Sequence, residues 1–389
     1  MNKIILPTIV IAQFCCTSLW FAGNGVMREL VVNFNLDENV LGHLTAAVQF
    51  GFIIGTLVFA IFTVADRFSP SKVFFCCAVL GSLVNSGITW DGNTLASILV
   101  FRFFTGFFLA GIYPVGMKIA ADYYEKGLGK SLGFLVGALV LGTAFPHLLM
   151  MNHTASFQWK YVLIITSFLA LFGGVLMLTL VPDGPFRKAG QKPNLSAFFN
   201  VFQNPEFRSS AFGYFGHMWE LYTFWAFVPI ILKTYNLAHP NISFNSSMLS
   251  FFIIGIGGLS CVFGGYIAQS AGTKRTAFVA LFLSSLCCLV APWVFTIEFE
   301  NLFIGFLLFW GVVVIADSPL FSTLVAQNTS AEMKGTALTI VNSIGFLVSI
   351  ISIELINYLS EMTDSNFIFM VLAVGPIFGL LAMRRRLAI

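Results

Sequence analysis

Charge is what this sequence has least of. Only 10% of its 389 residues are Asp, Glu, Lys or Arg, against about 25% in soluble globular proteins. A water-facing surface with so few charges would not stay dissolved, which excludes a soluble globular domain. Histidines number five, and the seven cysteines include the adjacent pairs Cys15/Cys16, Cys76/Cys77 and Cys287/Cys288, all inside apolar runs. None has zinc spacing, so they read as small buried hydrophobes. There is no Walker loop, no Cys/His metal cluster and no Gly-x-Ser-x-Gly elbow. The sequence therefore argues for no cofactor, no metal and no enzyme chemistry. No basic tract resembles a nucleic-acid arm, and Arg384, Arg385 and Arg386 read as an anchor at a membrane end.

Apolar residues take the place of charge. They make up 58% of the chain, with 45 Phe and 34 Gly, and the mean hydropathy is +0.89. A membrane-crossing helix needs about 20 mainly apolar residues. Twelve candidate spans follow, at 4–26, 39–64, 73–90, 94–117, 131–151, 159–181, 208–232, 247–270, 276–297, 301–326, 335–358 and 367–383. The first resembles a signal peptide but reads as an uncleaved span, since similar helices follow throughout. The longest internal link, 182–207, holds Asp183-Gly184-Pro185, Arg187, Lys188, Lys192 and Pro193. It divides the chain into six-span bundles at 1–181 and 208–389. The fold class is an all-α, multi-pass membrane protein.

Positive charge sets the expected orientation. With the N-terminus inside, 16 of the 20 basic residues fall inside, Arg28, Lys160 and Lys233 outside, and Arg102 within the bilayer. Both ends are then cytoplasmic. The halves also repeat: the loop Phe62–Lys72 after span 2 and the loop Gly265–Arg275 after span 8 lie 203 residues apart. Two six-span repeats imply a pseudo-two-fold axis along the membrane normal, with a polar site near mid-bilayer.

Arg102, Glu220 and Asp317, with Glu354 nearer an end, sit inside apolar runs. A charge at that depth costs about 2.5–3.5 kcal/mol on insertion scales, so such residues mark where something polar moves. His217 and Glu220 are three apart and share one face of span 7. A carboxyl withdrawn from water favours its neutral form, which suits proton coupling; a structural His–Glu hydrogen bond is the alternative. Asp317 precedes Ser318-Pro319, where the missing proline donor loosens the helix. It either serves the transported species or caps the freed donors there. Arg102 meets an anionic substrate, or forms a fixed ion pair, or snorkels. Gln13, Thr17, Trp20 and Asn24 have the spacing of one helix face, turned to a cavity or to a neighbouring helix. Tyr113 with Pro114, His147, Tyr222, Trp225 and Asn342 are further cavity candidates.

Several strings resemble the major facilitator superfamily. Ala65-Asp66-Arg67 matches the family's signature between helices 2 and 3. Phe62, Ser69, Pro70 and Ser71 depart from it. The second loop keeps Gly265, Ala268, Gly272, Lys274 and Arg275 but has Gln269 in place of the acid. Arg102, Gly106 and Gly111 look like the helix-4 pattern. Gly133, Gly137, Gly142 and Pro146 follow the antiporter spacing in helix 5 without its Gly-Pro pair, which tilts the reading from drug exporter toward uptake. The resemblance implies alternating access by a monomer, with Asp66 latching near the start of helix 11 at Gly335, and Asp122 as a partner for Arg67. The expected function is a proton-coupled transporter of a small polar or amphipathic solute in a bacterial inner membrane. Its partners are protons, that solute and the lipid bilayer, with no nucleic acid. An uncoupled facilitator or sensor, and a proton-antiport exporter, are the alternatives. A channel is disfavoured for want of a symmetric pore ring, and an intramembrane enzyme for want of a nucleophile with a positioned base.

Overall fold

The computed structural model describes residues 4–37, 40–124, 128–151, 158–187, 201–330 and 333–384, with backbone only for 128–130. Lys3, Lys126, Lys188, Lys192, Arg385 and Arg386 of the orientation argument lie outside them. The chain forms two compact units, Met1–Lys192 and Pro193–Ile389.

In the first unit, span 1 runs Ile5–Thr17, breaks, and resumes at Ala22–Gly25, with a short helix Met27–Phe34 beyond it. Span 2 is Val40–Ile61, span 3 Pro70–Gly87, span 5 Leu128–Met150 and span 6 Trp159–Leu180. Span 4 comes in two pieces, Leu95–Leu109 and Tyr113–Tyr123. In the second unit, spans 7, 8 and 9 are Pro205–Ala238, Ser246–Ala271 and Thr273–Val294. Span 10 is split into Glu300–Ala316 and Ser318–Gln327, and span 11 is Lys334–Met362. Span 12 starts as a 3-10 helix, Asn366–Ala373, and continues as Val374–Arg384.

Nine of the described helices are long and apolar enough to cross a membrane. Spans 1, 3 and 7 complete the expected twelve. Span 1 is shortened by its break, and spans 3 and 7 carry buried polar side chains such as Asn85, His217 and Glu220. Span 7 is longer than its apolar run because Asn204 caps it early, accepting from the Glu206 and Phe207 amides. Thr94 and Ser97 form a capping box at the start of span 4, which satisfies two donors a helix start leaves open. Large apolar side chains such as Phe168, Leu83, Phe263 and Phe378 stay more than 60% exposed, as a lipid-facing surface requires.

Both units use the same close crossing. A Cβ on Gly106 in span 4 would land on the Val48 carbonyl of span 2, and one on Gly311 in span 10 would land on the Ile253 carbonyl of span 8. Each residue of the second crossing lies 205 positions after its counterpart. The helix breaks repeat at the same interval, with Pro114 and Pro319 each in the first turn after the break. The repeat read from the loops therefore extends into the packing. Asn85 ties span 3 to span 6, donating to the Leu163 carbonyl at 3.1 Å and to Ser167 Oγ at 3.0 Å.

Candidate functional site

The second unit gathers two buried carboxyls and an imidazole from two spans, 7 and 10. Glu220 and Asp317 are 0% exposed and His217 is 1% exposed. His217 and Glu220 share the face of span 7 as their spacing requires, yet His217 does not pair with Glu220. Its Nδ1 lies 2.8 Å from Asp317 Oδ1. Asp317 occupies the joint of span 10 and makes no side-chain cap to the helix that follows. His217 is the ionisable side chain that faces its carboxylate. Asp317 Oδ2 and His217 Nε2 have no partner among the described residues.

Glu220 is held by residues the sequence reading did not single out. Trp310 of span 10 donates its Nε1–H to Oε1 at 2.6 Å, and Ser284 of span 9 donates to Oε2 at 2.8 Å. The Cys288 thiol and the Asp317 carboxyl are further neighbours of the same group. Phe224 stacks on Trp310 with centroids 4.3 Å apart. Trp310 did carry a signal: membrane tryptophans concentrate at span ends, and this one lies mid-span. Ser284 gave none. Nearby, Tyr222 packs on Trp225 and Phe346 at 5.5 and 5.2 Å, while Asn342 is half-buried.

In the first unit Arg102 is fully buried, so it neither snorkels nor forms an ion pair among the described residues. It donates to the Leu19 carbonyl at 3.1 Å and to the Trp20 carbonyl. Those carbonyls lie in the break of span 1, where Leu19 and Trp20 make tight bonds back to Cys16 and Thr17. Arg102 thus supplies donors where the regular helix ladder stops. Its Nε has no partner and sits over Gly23, where a Cβ would come within 3.2 Å.

The polar stripe of span 1 faces neighbours within its own unit. Thr17 donates to the Gln13 carbonyl at 2.8 Å, Trp20 packs on Phe52 of span 2, and Asn24 donates to Thr45 Oγ1 at 2.7 Å. Gln13 differs: it is fully buried, neither end of its amide has a partner among the described residues, and Gly116 of span 4 packs against its Oε1. His147, beside Pro146, is buried, and its Nε2 has no partner among the described residues. Tyr113 is half-buried at the joint of span 4.

Asp66 pairs with Lys118 at 2.9 Å, and Lys118 also lies 3.7 Å from Asp122. Asp122 therefore has Lys118 and Arg187, not the expected Arg67, as cationic neighbours, and Arg67 is exposed. Lys118 is one turn before Asp122 on the same helix, a spacing that could have flagged it. The start of the expected linker is docked here. Tyr123 donates to the Pro182 carbonyl, Ser71 to that of Val181, and the Phe186 amide to that of Asp122. Arg187 donates to the Asp66 and Phe68 carbonyls at 3.1 and 2.8 Å. Gly272, at φ +86°, is the single residue between spans 8 and 9. A Cβ on Gly265 or Gly335 would meet nothing within 4 Å.

The sequence matches the Major Facilitator Superfamily over residues 9–353. No curated protein matches it significantly. Among solved structures, a D-xylose-proton symporter superposes with a TM-score of 0.77 at 15% identity, covering 98% of this chain and 96% of that one. The nucleoside transporter NupG gives 0.72 at 15% identity, covering 98% and 99%. A bacterial homologue of the human lysosomal transporter Spinster, inward-facing and unoccupied, gives 0.72 at 13% identity, covering 98% and 97%. At these identities the likeness is one of fold.

Proposed function

The chain belongs to the major facilitator superfamily, and we propose that it is a secondary active transporter coupled to protons through Glu220, His217 and Asp317. It is a multi-pass integral membrane protein with the fold of a transporter family, not of an enzyme. We infer that it moves a small polar or amphipathic solute by alternating access, as a monomer in a bacterial inner membrane with both ends cytoplasmic.

One observation carries the coupling. Two carboxylates and one imidazole share a sealed cluster inside the second unit. One imidazolium can balance one carboxylate, and a second buried negative charge is left over. Unbalanced charge at that depth is expensive, so the cheapest state of the cluster holds a proton. Two of the fold neighbours are symporters of xylose with protons and a third is a nucleoside transporter, which supports testing sugars and nucleosides first. The buried Gln13 amide of the first unit, which has no partner among the described residues, can both donate to and accept from a solute hydroxyl.

A thermal-shift screen of purified protein against sugars, nucleosides, drugs and iron chelates identifies the solute. Proteoliposomes with an imposed pH gradient then test the coupling. Glu220→Gln is expected to abolish gradient-driven accumulation while retaining solute exchange. Undiminished accumulation by that variant would remove Glu220 from the coupling role. A second reading, an uncoupled facilitator, draws on the donors at both Glu220 oxygens, which make it a tie between three spans. In that case collapsing the proton gradient leaves equilibration rates unchanged.

A further inference from the structure

Ser284 carries one hydroxyl hydrogen and faces two acceptors. Its Oγ is 2.8 Å from Glu220 Oε2 and 3.1 Å from the Leu281 carbonyl. One O–H donates to one of them at a time, while the same oxygen is free to accept. Glu220 Oε1 has no such freedom, because its neighbour at 2.6 Å is Trp310 Nε1 and an indole N–H only donates. The stack on Phe224 holds that ring in place. A proton placed on Oε1 finds no acceptor in Trp310; a proton on Oε2 meets a lone pair of Ser284 Oγ.

We propose that Glu220 is protonated on Oε2 and that Ser284 reverses its hydrogen bond each time the proton arrives or leaves. With Glu220 ionised, the serine hydroxyl donates to Oε2. With Glu220 protonated, the carboxylic O–H donates to Ser284 Oγ and the serine hydrogen swings to the Leu281 carbonyl. One O–H bond forms or breaks, the proton is exchanged with the aqueous phase, and no electrons change hands. Every polar group keeps a partner in both states, which avoids the penalty of an orphaned buried group. Spans 7, 9 and 10 therefore need not repack as the charge changes. The other titratable groups near Glu220 are Asp317, itself paired with His217, and the Cys287 and Cys288 thiols of span 9. Cys288 also neighbours the carboxyl, but thiols donate and accept weakly, so the hydroxyl sets the direction. The inference rests on Glu220 being the coupling acid, with Ser284 and Trp310 as its positioning residues.

Infrared difference spectroscopy on the full-length protein in lipid, stepped from alkaline to acid pH, reads the carboxylic C=O band directly. Glu220→Gln assigns the band by removing it. Trp310→Phe is expected to move it to higher frequency, because the carbonyl oxygen Oε1 loses its donor. Ser284→Ala should displace it, because the carboxylic O–H loses its acceptor, and Ser284→Thr, which keeps the hydroxyl, should hold it at the wild-type position. A band unmoved by Ser284→Ala, or moved only by Cys288→Ala, overturns the switch and leaves Glu220 as coupling acid. A spectrum with no band sensitive to Glu220→Gln overturns the switch and the coupling reading together.

Discussion

Glu220 and Arg102 are equally buried, and their surroundings satisfy them differently. Glu220 bonds side chains from two other spans, whereas Arg102 bonds main-chain carbonyls of one broken helix. The fork of the guanidinium suits that task, since it reaches two carbonyls at once while an ammonium is a point donor. Arg102→Lys is therefore expected to lower stability by about 1–3 kcal/mol, the range for a lost hydrogen bond to a charged group or an orphaned carbonyl. Thermal unfolding in detergent measures this, and an unchanged Tm would mean those carbonyls do not depend on the side chain. The depth of both residues was legible in the sequence, because an ionisable residue in an apolar run stands out. Their partners were not: Leu19 and Trp20 act through backbone, which no residue type announces, and Ser284 is one of many serines.

At the scale of helices, the two glycine crossings make a sharper test of packing than any apolar contact. Gly106→Ala and Gly311→Ala each press a methyl onto a carbonyl of the crossing helix, and overpacking of this kind costs about 1–3 kcal/mol. Both variants should unfold at lower temperature, and Gly305→Ala, where a Cβ would meet nothing within 4 Å, should not. Gly272→Ala probes the turn between spans 8 and 9. The left-handed φ of +86° disfavours any side chain by about 1–2 kcal/mol, and an unaffected Tm would show that the turn relaxes freely. Span positions were readable because apolar runs of membrane length have few other uses. The break in span 1 was not, because Ser18, Leu19, Trp20 and Phe21 include neither proline nor glycine. The joint of span 10 was, because Pro319 follows it.

For the molecule as a whole, the distribution of lysine and arginine predicts orientation. Single cysteines placed in the 62–72 and 265–275 loops should label from the cytoplasmic side, and one at position 160 from the opposite side. Labelling of the two loops from opposite faces would overturn the twelve-span topology. The match of crossings and joints at an interval of 205 residues points to ancestry by gene duplication. Copies that inherit one packing frame can diverge freely at the positions the frame does not use. Here one half holds the Arg102 guanidinium against its own main chain, while the other gathers two buried carboxyls and an imidazole. Substitution within either set is thus open without redesign of the other half.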